Sequence, residues 1–202
     1  MFISFEGIDK SGKSTQVSLL ADFLLKKNYP IAVTKEPGGT DLGKLIKNLL
    51  LMEDKKINPF AELFLYLADR AQHVQEVIVP LLKEEKLIIS DRYADATLAY
   101  QGFGRGLSFE MIQKLNDKVT QGIWPNLTFL LDIEPELAMR RKRANDRIEK
   151  EDLTFHRKVR EGYLKIAKLC PERIKVIKAD ESPLFIHEKI KKITLEKLSH
   201  GV

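Results

Sequence analysis

Residues 2–15 read FISFEGIDKSGKST, and this stretch narrows the possible folds more than any other part of the chain. Gly7, Gly12, Lys13 and Ser14 match the spacing G-x-x-x-x-G-K-[ST] of a loop that wraps around phosphates. Glycines there let backbone N–H groups turn toward anionic oxygens, the lysine reaches the outer phosphates, and the serine hydroxyl ligates Mg²⁺. A β-prone apolar segment precedes the loop and an amphipathic helix pattern follows it, a context that a chance glycine-rich turn lacks. The predicted nucleotide-binding residues are Gly7, Ile8, Asp9, Lys10, Ser11, Gly12, Lys13, Ser14 and Thr15.

Short apolar segments alternate with helical patterns along the rest of the chain. Strands are predicted at 2–5, 31–34, 87–90, 127–133 and 174–177. Because each strand is bounded by turn residues and followed by a helical pattern, we expect a parallel sheet covered on both faces. The predicted fold is therefore an α/β, three-layer P-loop NTPase fold with a five-stranded parallel sheet. We expect a single domain over residues 1–202, because no linker or repeat divides the chain.

The helical segments carry their own start and stop signals. The first helix should end near Asn28, and further helices are predicted at 42–52, from 58 onward and from about 184. Pro80 should kink or break the helix that begins at 58, since proline lacks an N–H and its ring clashes with the preceding turn. Gly102, Gly104 and Gly106 predict a loop before a helix capped by Ser108.

The composition excludes several classes of protein. The chain has 202 residues, with 34 Lys+Arg against 29 Asp+Glu, and its net charge of +5 suits an anionic ligand without requiring nucleic acid. A single cysteine, Cys170, rules out an internal disulfide and a thiolate zinc cluster. We see neither a signal-peptide pattern nor an apolar run of the roughly 20 residues that a membrane span needs. The expected location is the cytoplasm, with no membrane partner.

Asp91 and Arg92 follow directly on a hydrophobic strand pattern. A carboxylate at that strand end can lie beside the metal held by Ser14, whereas the simpler alternative is a solvent-exposed aspartate. The planar guanidinium of Arg92 is suited to bridging a donor and an acceptor phosphate. No N-K-x-D sequence for reading guanine is present. A short P-loop protein with arginines spread along its length is typical of a nucleotide or metabolite kinase.

Several blocks in this order resemble the thymidylate kinase family, which transfers the γ-phosphate of ATP to dTMP. The resemblance extends from residue 2 to about residue 184. The blocks that carry it are Gly7-Ile8-Asp9-Lys10-Ser11-Gly12-Lys13-Ser14-Thr15, Glu36-Pro37-Gly38-Gly39-Thr40, Asp91-Arg92-Tyr93, Ala99-Tyr100-Gln101-Gly102, Pro125-Asn126-Leu127-Thr128 and Asp146-Arg147-Ile148-Glu149.

The resemblance implies roles for residues that would read the base. Tyr66 and Arg70 are four apart on a predicted helix, so they share a face. In the family the aromatic ring stacks on thymine and the arginine binds its carbonyl, although the residues alone equally allow a core tyrosine and a surface arginine. Thr97 and Gln101 resemble a second polar wall, and Tyr100 resembles a residue that bars a ribose 2′-hydroxyl.

The resemblance also implies residues around the acceptor phosphate. Glu36 is similar to a carboxylate near that phosphate and its metal-bound waters, and Asp9 to an acid that orients the 3′-hydroxyl. Lys47 corresponds to a phosphate contact. Many bacterial members have arginine at the positions of Lys35 and Lys47, and lysine lacks the bidentate fork of arginine.

A basic run at 140–147 precedes the last predicted strand. The residues alone allow a nucleic-acid patch or a solvated helix face. The resemblance implies a mobile lid over ATP at about 140–152, in which an arginine reaches the transferring phosphate. The phosphate loop has Lys10 where some members have arginine, whereas Arg147 matches the arginine of members that carry it in the lid. We therefore favour the lid, with Arg147 and Arg143 as candidates and Lys10 as a partial contributor.

The sequence therefore predicts a Mg²⁺-dependent thymidylate kinase that uses ATP, with Lys13, Arg92, Arg147, Asp91 and Arg143 as catalytic residues. The predicted metal ligands are Ser14, Asp91 and Glu36. A kinase of another nucleoside monophosphate or of a deoxynucleoside is the first alternative. An ATP-dependent nucleic-acid-binding module is the second. The resemblance further implies a homodimer, no nucleic-acid partner, and adenine binding near residues 179–182.

Overall fold

Five short strands form one parallel sheet in the computed structural model, which describes residues 1–52, 56–141 and 146–199. The strand order is β2-β3-β1-β4-β5, and every neighbouring pair is parallel. The predicted five-stranded parallel sheet is thereby confirmed. The strands are β1 (Phe2–Glu6), β2 (Ile31–Lys35), β3 (Leu87–Asp91), β4 (Leu127–Asp132) and β5 (Ile174–Lys178).

Helices connect the strands, as the alternating pattern predicts. Several begin at a polar side chain that accepts a backbone N–H, such as Thr40 from Gly43 and Asn58 from Phe60. None of the helices in the described ranges combines the length and apolar character needed to cross a membrane. The helices are α1 (Lys13–Lys26), α2 (Asp41–Leu51), α3 (Pro59–His73), α4 (Val79–Lys83), α5 (Ala94–Thr97), α6 (Phe109–Val119), α7 (Pro135–Arg141), α8 (Leu153–Leu169) and α9 (Pro183–Ser199).

Two helices continue into π-helical segments that local patterns did not predict. Val74–Ile78 joins α3 to α4, so the regular helix is interrupted just before Pro80, as a missing N–H requires. Leu98–Gly104 extends α5, so the loop predicted around Gly102 and Gly104 is wrong. A Cβ on Gly104 would lie 2.7 Å from the Phe155 ring of α8, and glycine there permits close helix packing rather than a turn.

Helices cover both faces of the sheet. Side chains alternate along β1, so Phe2 packs with Val74 and Ile78 on one face. Phe5 points to the other face and belongs to the large buried cluster that includes Leu20 of α1. Helix α1 contacts β1 and also packs on α9. This arrangement leaves the carboxyl ends of the strands open as one edge, where α/β sheets bind ligands.

The register of β1 and β3 brings two distant sequence motifs together. Phe5 of β1 pairs with Asp91 at the end of β3, although β2 and the helices α1 to α4 lie between them in the chain. The phosphate loop that follows β1 and the Asp91-Arg92 pair that follows β3 therefore lie side by side at the same edge.

Candidate active site

The phosphate loop joins β1 to the N-terminus of α1. Gly7 and Gly12 have positive φ angles, and a Cβ on Gly7 would lie 2.6 Å from the carbonyl oxygen of Leu131, so glycine is required there. Helix α1 begins at Lys13, which directs its free N–H groups toward the loop. The loop thus has the geometry of an anion-binding nest.

Lys13 lies buried beneath this loop. Its Nζ donates to the carbonyl oxygens of Gly7 (3.1 Å) and Ile8 (2.8 Å). Burial lowers the pKa of Lys13 from 10.5 to about 8, because removal from water disfavours the charged amine, and the nearby Arg92 adds to this shift. An anion in the loop would favour the ammonium form.

Ser14 and Asp91 meet at the mouth of the loop. Oγ of Ser14 donates to Oδ2 of Asp91 at 2.5 Å. These are two hard oxygen groups, and Mg²⁺ is usually held by one or two such protein ligands together with substrate phosphates and waters. Among the described residues no cluster of three or more His, Cys, Asp or Glu side chains offers a metal site. Two of the three predicted ligands, Ser14 and Asp91, thus lie together, and their hard oxygens fit Mg²⁺.

Arg92 connects the phosphate loop to the neighbouring pocket wall. Its φ of +72° lies in the left-handed region, and its guanidinium donates to Gly7 O (2.9 Å) and to Asp9 (2.5 Å). The hydroxyls of Tyr100 (3.1 Å) and Tyr163 (3.2 Å) accept further hydrogen bonds. Burial would raise the pKa of Asp9, but the charges of Arg92 and Lys13 lower it to about 2, so the carboxylate stays ionised.

A cleft of about 750 Å³ runs from the phosphate loop to α3. It brings together most of the predicted site residues, which are contributed by segments far apart in the sequence. Gly7 and Ile8 form the loop beneath it and do not line it. The predicted residues that line the cleft are Asp9, Lys10, Ser11, Gly12, Lys13, Ser14, Thr15, Glu36, Lys47, Tyr66, Arg70, Asp91, Arg92, Thr97, Tyr100 and Gln101.

Arg70 is buried in the wall of the cleft opposite the phosphate loop. It is 1% exposed, which rules out a surface charge. Its guanidinium donates to Glu36 (2.8 Å), Thr97 (2.7 Å), Tyr93 O (3.1 Å) and Asn116 (2.9 Å). Within residues 1–52, 56–141 and 146–199, four of the five N–H groups of Arg70 are thereby engaged, and one on Nη2 is left.

Tyr66 lies one helical turn from Arg70 and lines the cleft with it. Tyr66 is half-buried, so the alternative that it is only a core residue does not describe it fully. Tyr66 and Arg70 thus give the wall an aromatic face and a fixed donor, which together suit a flat, acceptor-bearing ring.

Glu36 follows β2 and is buried between α3 residues. Arg70 Nε donates to its Oε2, and Nδ1 of His73 lies 2.8 Å from its Oε1. Burial would raise the pKa of Glu36, but the charge of Arg70 and the hydrogen bond with His73 hold it below 4.5. Both oxygens already have protein partners, so direct metal ligation by Glu36 would compete with these contacts. Lys47 lines the cleft on the same side.

Tyr100 and Gln101 come from the π-helical segment Leu98–Gly104. The hydroxyl of Tyr100 donates to Asp9 at 2.7 Å, and Tyr100 lines the same cleft as Tyr66 and Arg70. Nε2 of Gln101 donates to Glu62 at 2.8 Å. The predicted second wall is thus contiguous with the first.

The predicted lid arginines lie elsewhere or outside the described residues. Arg143 falls within 142–145, outside the described ranges. Arg147 does not line the cleft, and it donates to Leu50 O (3.0 Å) and to Glu62 (2.7 Å). Lys10 forms an ion pair with Glu149 at 3.5 Å, which ties the phosphate loop to the segment after the basic run.

Sequence reasoning missed three residues that shape this site. Arg141 lines the cleft and donates to Lys10 O and Ser11 O (both 3.2 Å) and to Ala179 O (2.5 Å), beside the segment expected to bind adenine. Tyr163 contacts Arg92, and Glu62 holds Gln101. Arg141 was visible as part of the basic run, whereas nothing in the local sequence distinguishes Tyr163 or Glu62.

Comparison with known proteins gives one consistent result. Residues 5–190 match a family model described as thymidylate kinase. A thymidylate kinase of Kosmotoga olearia is 47% identical over 208 residues, covering 100% of both chains. One from Maridesulfovibrio salexigens is 46% identical, covering 98% of this chain and 96% of that protein. The crystal structure of thymidylate kinase from Ehrlichia chaffeensis superposes with a TM-score of 0.80 at 36% identity, covering 96% of this chain and 98% of that one.

Proposed function

The chain belongs to the thymidylate kinase family, and on that premise we propose that it transfers the γ-phosphate of ATP to dTMP, giving dTDP and ADP. The observation that carries the proposal is that one cleft, of about 750 Å³, joins the phosphate loop to the Tyr66–Arg70 wall. Such a cleft accommodates a phosphate donor at one end and a base at the other. The enzyme is a phosphotransferase.

We assign the donor end to ATP. The phosphate loop surrounds the β- and γ-phosphates, and Lys13 leaves its contacts with Gly7 O and Ile8 O to bind them. The adenine end lies toward Arg141 and residues 179–183, where Glu181 and Pro183 line the cleft. Arg141 holds the backbone of both segments, so it orders the donor site.

Ser14 and Asp91 would hold Mg²⁺, because their side-chain oxygens already meet at the loop mouth. A bound Mg²⁺ supplies charge neutralisation on the donor phosphates. Glu36 acts at the acceptor side, where its remaining lone pairs can accept hydrogen bonds from water.

The acceptor end takes the monophosphate and its base. Tyr66 stacks on the pyrimidine, Arg70 donates to a ring carbonyl with its remaining N–H, and Thr97 and Gln101 complete the polar wall. Asp9 and Tyr100 lie where the sugar passes between the two halves. Lys47 and Arg92 face the acceptor phosphate.

In-line transfer needs no strong general base here, since the attacking phosphate oxygen of dTMP is already anionic. The rate then depends on positioning and on cationic side chains around the transferred group. Lys13 and Arg92 supply two such charges. We assign a third positive charge to the lid over about 140–152, where Arg147 is preferred to Arg143 as its source. Arg147 can reach the phosphate only after its ion pair with Glu62 breaks.

We further propose a homodimer through α2 and α3. Leu42, Leu45 and Leu49 are exposed on one face of α2, and Phe60 and Phe64 are exposed on the neighbouring α3. Leu45 is 64% exposed and Phe64 56%, and large exposed apolar side chains on two helices that pack together suit a protein interface. The single-domain organisation and the cytoplasmic location, where ATP and deoxynucleotides occur, stay predictions.

An ADP-release assay across acceptors tests the function directly. We expect the highest kcat/KM with dTMP among dTMP, dUMP, dCMP, dGMP and thymidine, in the presence of ATP and Mg²⁺. Fastest turnover of another monophosphate or of thymidine would assign a different acceptor. Absence of transfer, together with strongly salt-dependent DNA or RNA affinity, would favour a nucleic-acid-binding module instead.

A further inference from the structure

Glu62 is a fully buried carboxylate whose partners come from two distant parts of the chain, residues 101–105 and Arg147. Its side chain has 0% exposure and lies in the first turn of α3. Oε1 accepts from Gln101 Nε2 (2.8 Å) and Arg105 Nε (3.1 Å). Oε2 accepts from Arg105 Nη2 (3.1 Å) and Arg147 Nη2 (2.7 Å). These hydrogen bonds match the roughly four acceptor positions of a carboxylate.

The charge state of Glu62 determines which way the Gln101 amide faces. Burial alone would raise the pKa of Glu62, but the hydrogen bonds from Arg105 and Gln101 hold it below 4.5, so the carboxylate is ionised. An ionised carboxylate only accepts hydrogen bonds. The amide of Gln101 must therefore present its NH₂ group to Glu62, and the opposite orientation would bring two oxygens together.

The amide oxygen of Gln101 is the atom left for a ligand. Gln101 is 1% exposed and lines the cleft, and in the described ranges no protein donor reaches its Oε1. The nearby Arg70 contributes a donor. This wall of the cleft thus offers an acceptor from Gln101 and a donor from Arg70.

That pair of groups distinguishes pyrimidines by their ring nitrogen. Thymine and uracil carry an N3–H donor between two carbonyl acceptors, whereas the cytosine N3 is an acceptor. We propose that Glu62 is a positioning residue that holds the amide oxygen of Gln101 toward the base, an inference that rests on the proposed function. The site then accepts a pyrimidine with a ring N–H and rejects cytosine. With cytosine, the ring N3 and the amide oxygen of Gln101 would face each other as two acceptors without a proton between them. Such a contact is costly in a buried site.

The geometry of α3 supports this role. Glu62, Tyr66 and Arg70 are spaced four residues apart, so one helix face carries the lock, the aromatic ring and the carbonyl donor. The contact with Gln101 uses Oε1, whereas Arg147 uses Oε2. Departure of Arg147 toward the transferring phosphate would therefore leave the Gln101 contact in place.

Discrimination between dTMP and dCMP is the property to measure. We expect Glu62→Met, which removes the acceptor at similar length, to lower the ratio of kcat/KM for dTMP over dCMP by at least about tenfold. Most of that change should lie in KM for dTMP. Glu62→Gln retains a carbonyl that can accept from Gln101, so it should preserve more of the ratio than Glu62→Met.

Glu151→Gln is the matched control, because Glu151 pairs with Arg105 at 2.6 Å and its ion pair does not involve Gln101. Glu151 lies in the proposed lid, so any effect on transfer should fall on dTMP and dCMP alike and leave the ratio unchanged. Equal loss toward both substrates in Glu62→Met would overturn the proposal and indicate a structural role. A wild-type enzyme that does not phosphorylate dTMP would instead refute the proposed function.

A measurement on the wild-type enzyme covers the case in which Glu62→Met does not fold. The side-chain NH₂ signals of Gln101 in ¹⁵N-labelled protein, identified by their loss in Gln101→Leu, should exchange slowly with water before and after dTMP is added. Fast exchange without dTMP, or a switch of these protons to a new acceptor on dTMP binding, would overturn the lock.

Discussion

The hydroxyl of Ser14 donates a 2.5 Å hydrogen bond to the carboxylate of Asp91, across 77 positions of sequence. The contact exists because β1 and β3 are neighbours in register and both end at the same edge of the sheet. A phosphate-loop serine and a strand-end aspartate thus become one oxygen pair. This pair is the part of the site most directly determined by the sheet topology.

Loss of the Ser14 hydroxyl or of the Asp91 carboxylate should weaken Mg²⁺ binding and thereby lower the rate of catalysis. We expect Asp91→Asn and Ser14→Ala each to lower kcat by about 100-fold and to raise the Mg²⁺ concentration needed for half-maximal rate. The double variant should lose less than the product of the two effects, because both side chains act on one ion. Asp22→Asn, at an exposed position of α1, is the control. Independent, multiplicative losses would contradict a shared ion.

Arg147 and Lys10 are the two candidates for the cationic contact with the transferring phosphate. We expect Arg147→Ala to reduce kcat by about 1,000-fold, as loss of an arginine at a phosphoryl transition state does, and Lys10→Ala to have a smaller effect. Single-turnover rates measure this. Arg157→Ala, which removes a surface pair with Glu136, should retain the wild-type rate. If Arg147→Ala keeps kcat while Lys10→Ala abolishes it, the assignment to the lid is wrong.

The buried pair of Glu36 and Arg70 should support folding as well as binding. Glu36→Gln leaves the buried charge of Arg70 uncompensated, and we expect a loss of about 3–5 kcal/mol in the free energy of unfolding, measured with urea at pH 7. Glu188→Gln, which removes a surface pair with Lys191, should leave the midpoint nearly unchanged.

The same pair has a defined pH dependence. Because the pKa of Glu36 in the folded state lies below 4.5, its contribution is fully present above pH 4.5 and is lost as the pH falls through the lowered value. The difference between wild type and Glu36→Gln should therefore shrink in acid. A difference that stays constant down to pH 2 would show that the ion pair is not its cause.

Local sequence patterns predicted the parts of the molecule that depend on neighbouring residues. The five strands, the phosphate loop and the common face of Tyr66 and Arg70 all follow from short-range periodicity or spacing. The π-helical segment with Gly104 did not, because that glycine is set by contact with α8 rather than by a turn.

Long-range partners explain the remaining differences at the site. A glutamate in the first turn of a helix is ordinarily a surface residue, and Glu62 is buried only because Gln101, Arg105 and Arg147 converge on it. Likewise, in the sequence Arg141 is only one of several arginines in a basic run. Its role follows from the position of α7, which brings its guanidinium to the phosphate loop. Such roles depend on which elements become neighbours, which no single stretch of sequence contains.

The exposed apolar face of α2 should hold two chains together. We expect Leu45→Glu to convert a dimer to a species with the mass of a single chain by light scattering at micromolar concentration, because a buried unpaired carboxylate destabilises an interface. Leu25→Glu is the matched control, since Leu25 is 55% exposed but belongs to α1 rather than to the proposed α2–α3 interface. A monomeric wild type would exclude this interface.

Lys13 should give ATP utilisation a characteristic decline in alkaline solution. The free enzyme binds phosphates best when Lys13 is charged, and burial lowers its pKa to about 8, so kcat/KM for ATP should fall about tenfold per pH unit above pH 8. Once ATP is bound, its phosphates favour the ammonium form, and kcat at saturating ATP should decline only at higher pH. Lys13→Arg, whose side chain stays charged throughout, should lose activity but also lose the inflection near pH 8. A wild-type profile of kcat/KM that is flat from pH 7 to 10 would show that Lys13 is fully charged in the free enzyme, and that its contacts with Gly7 O and Ile8 O outweigh its burial.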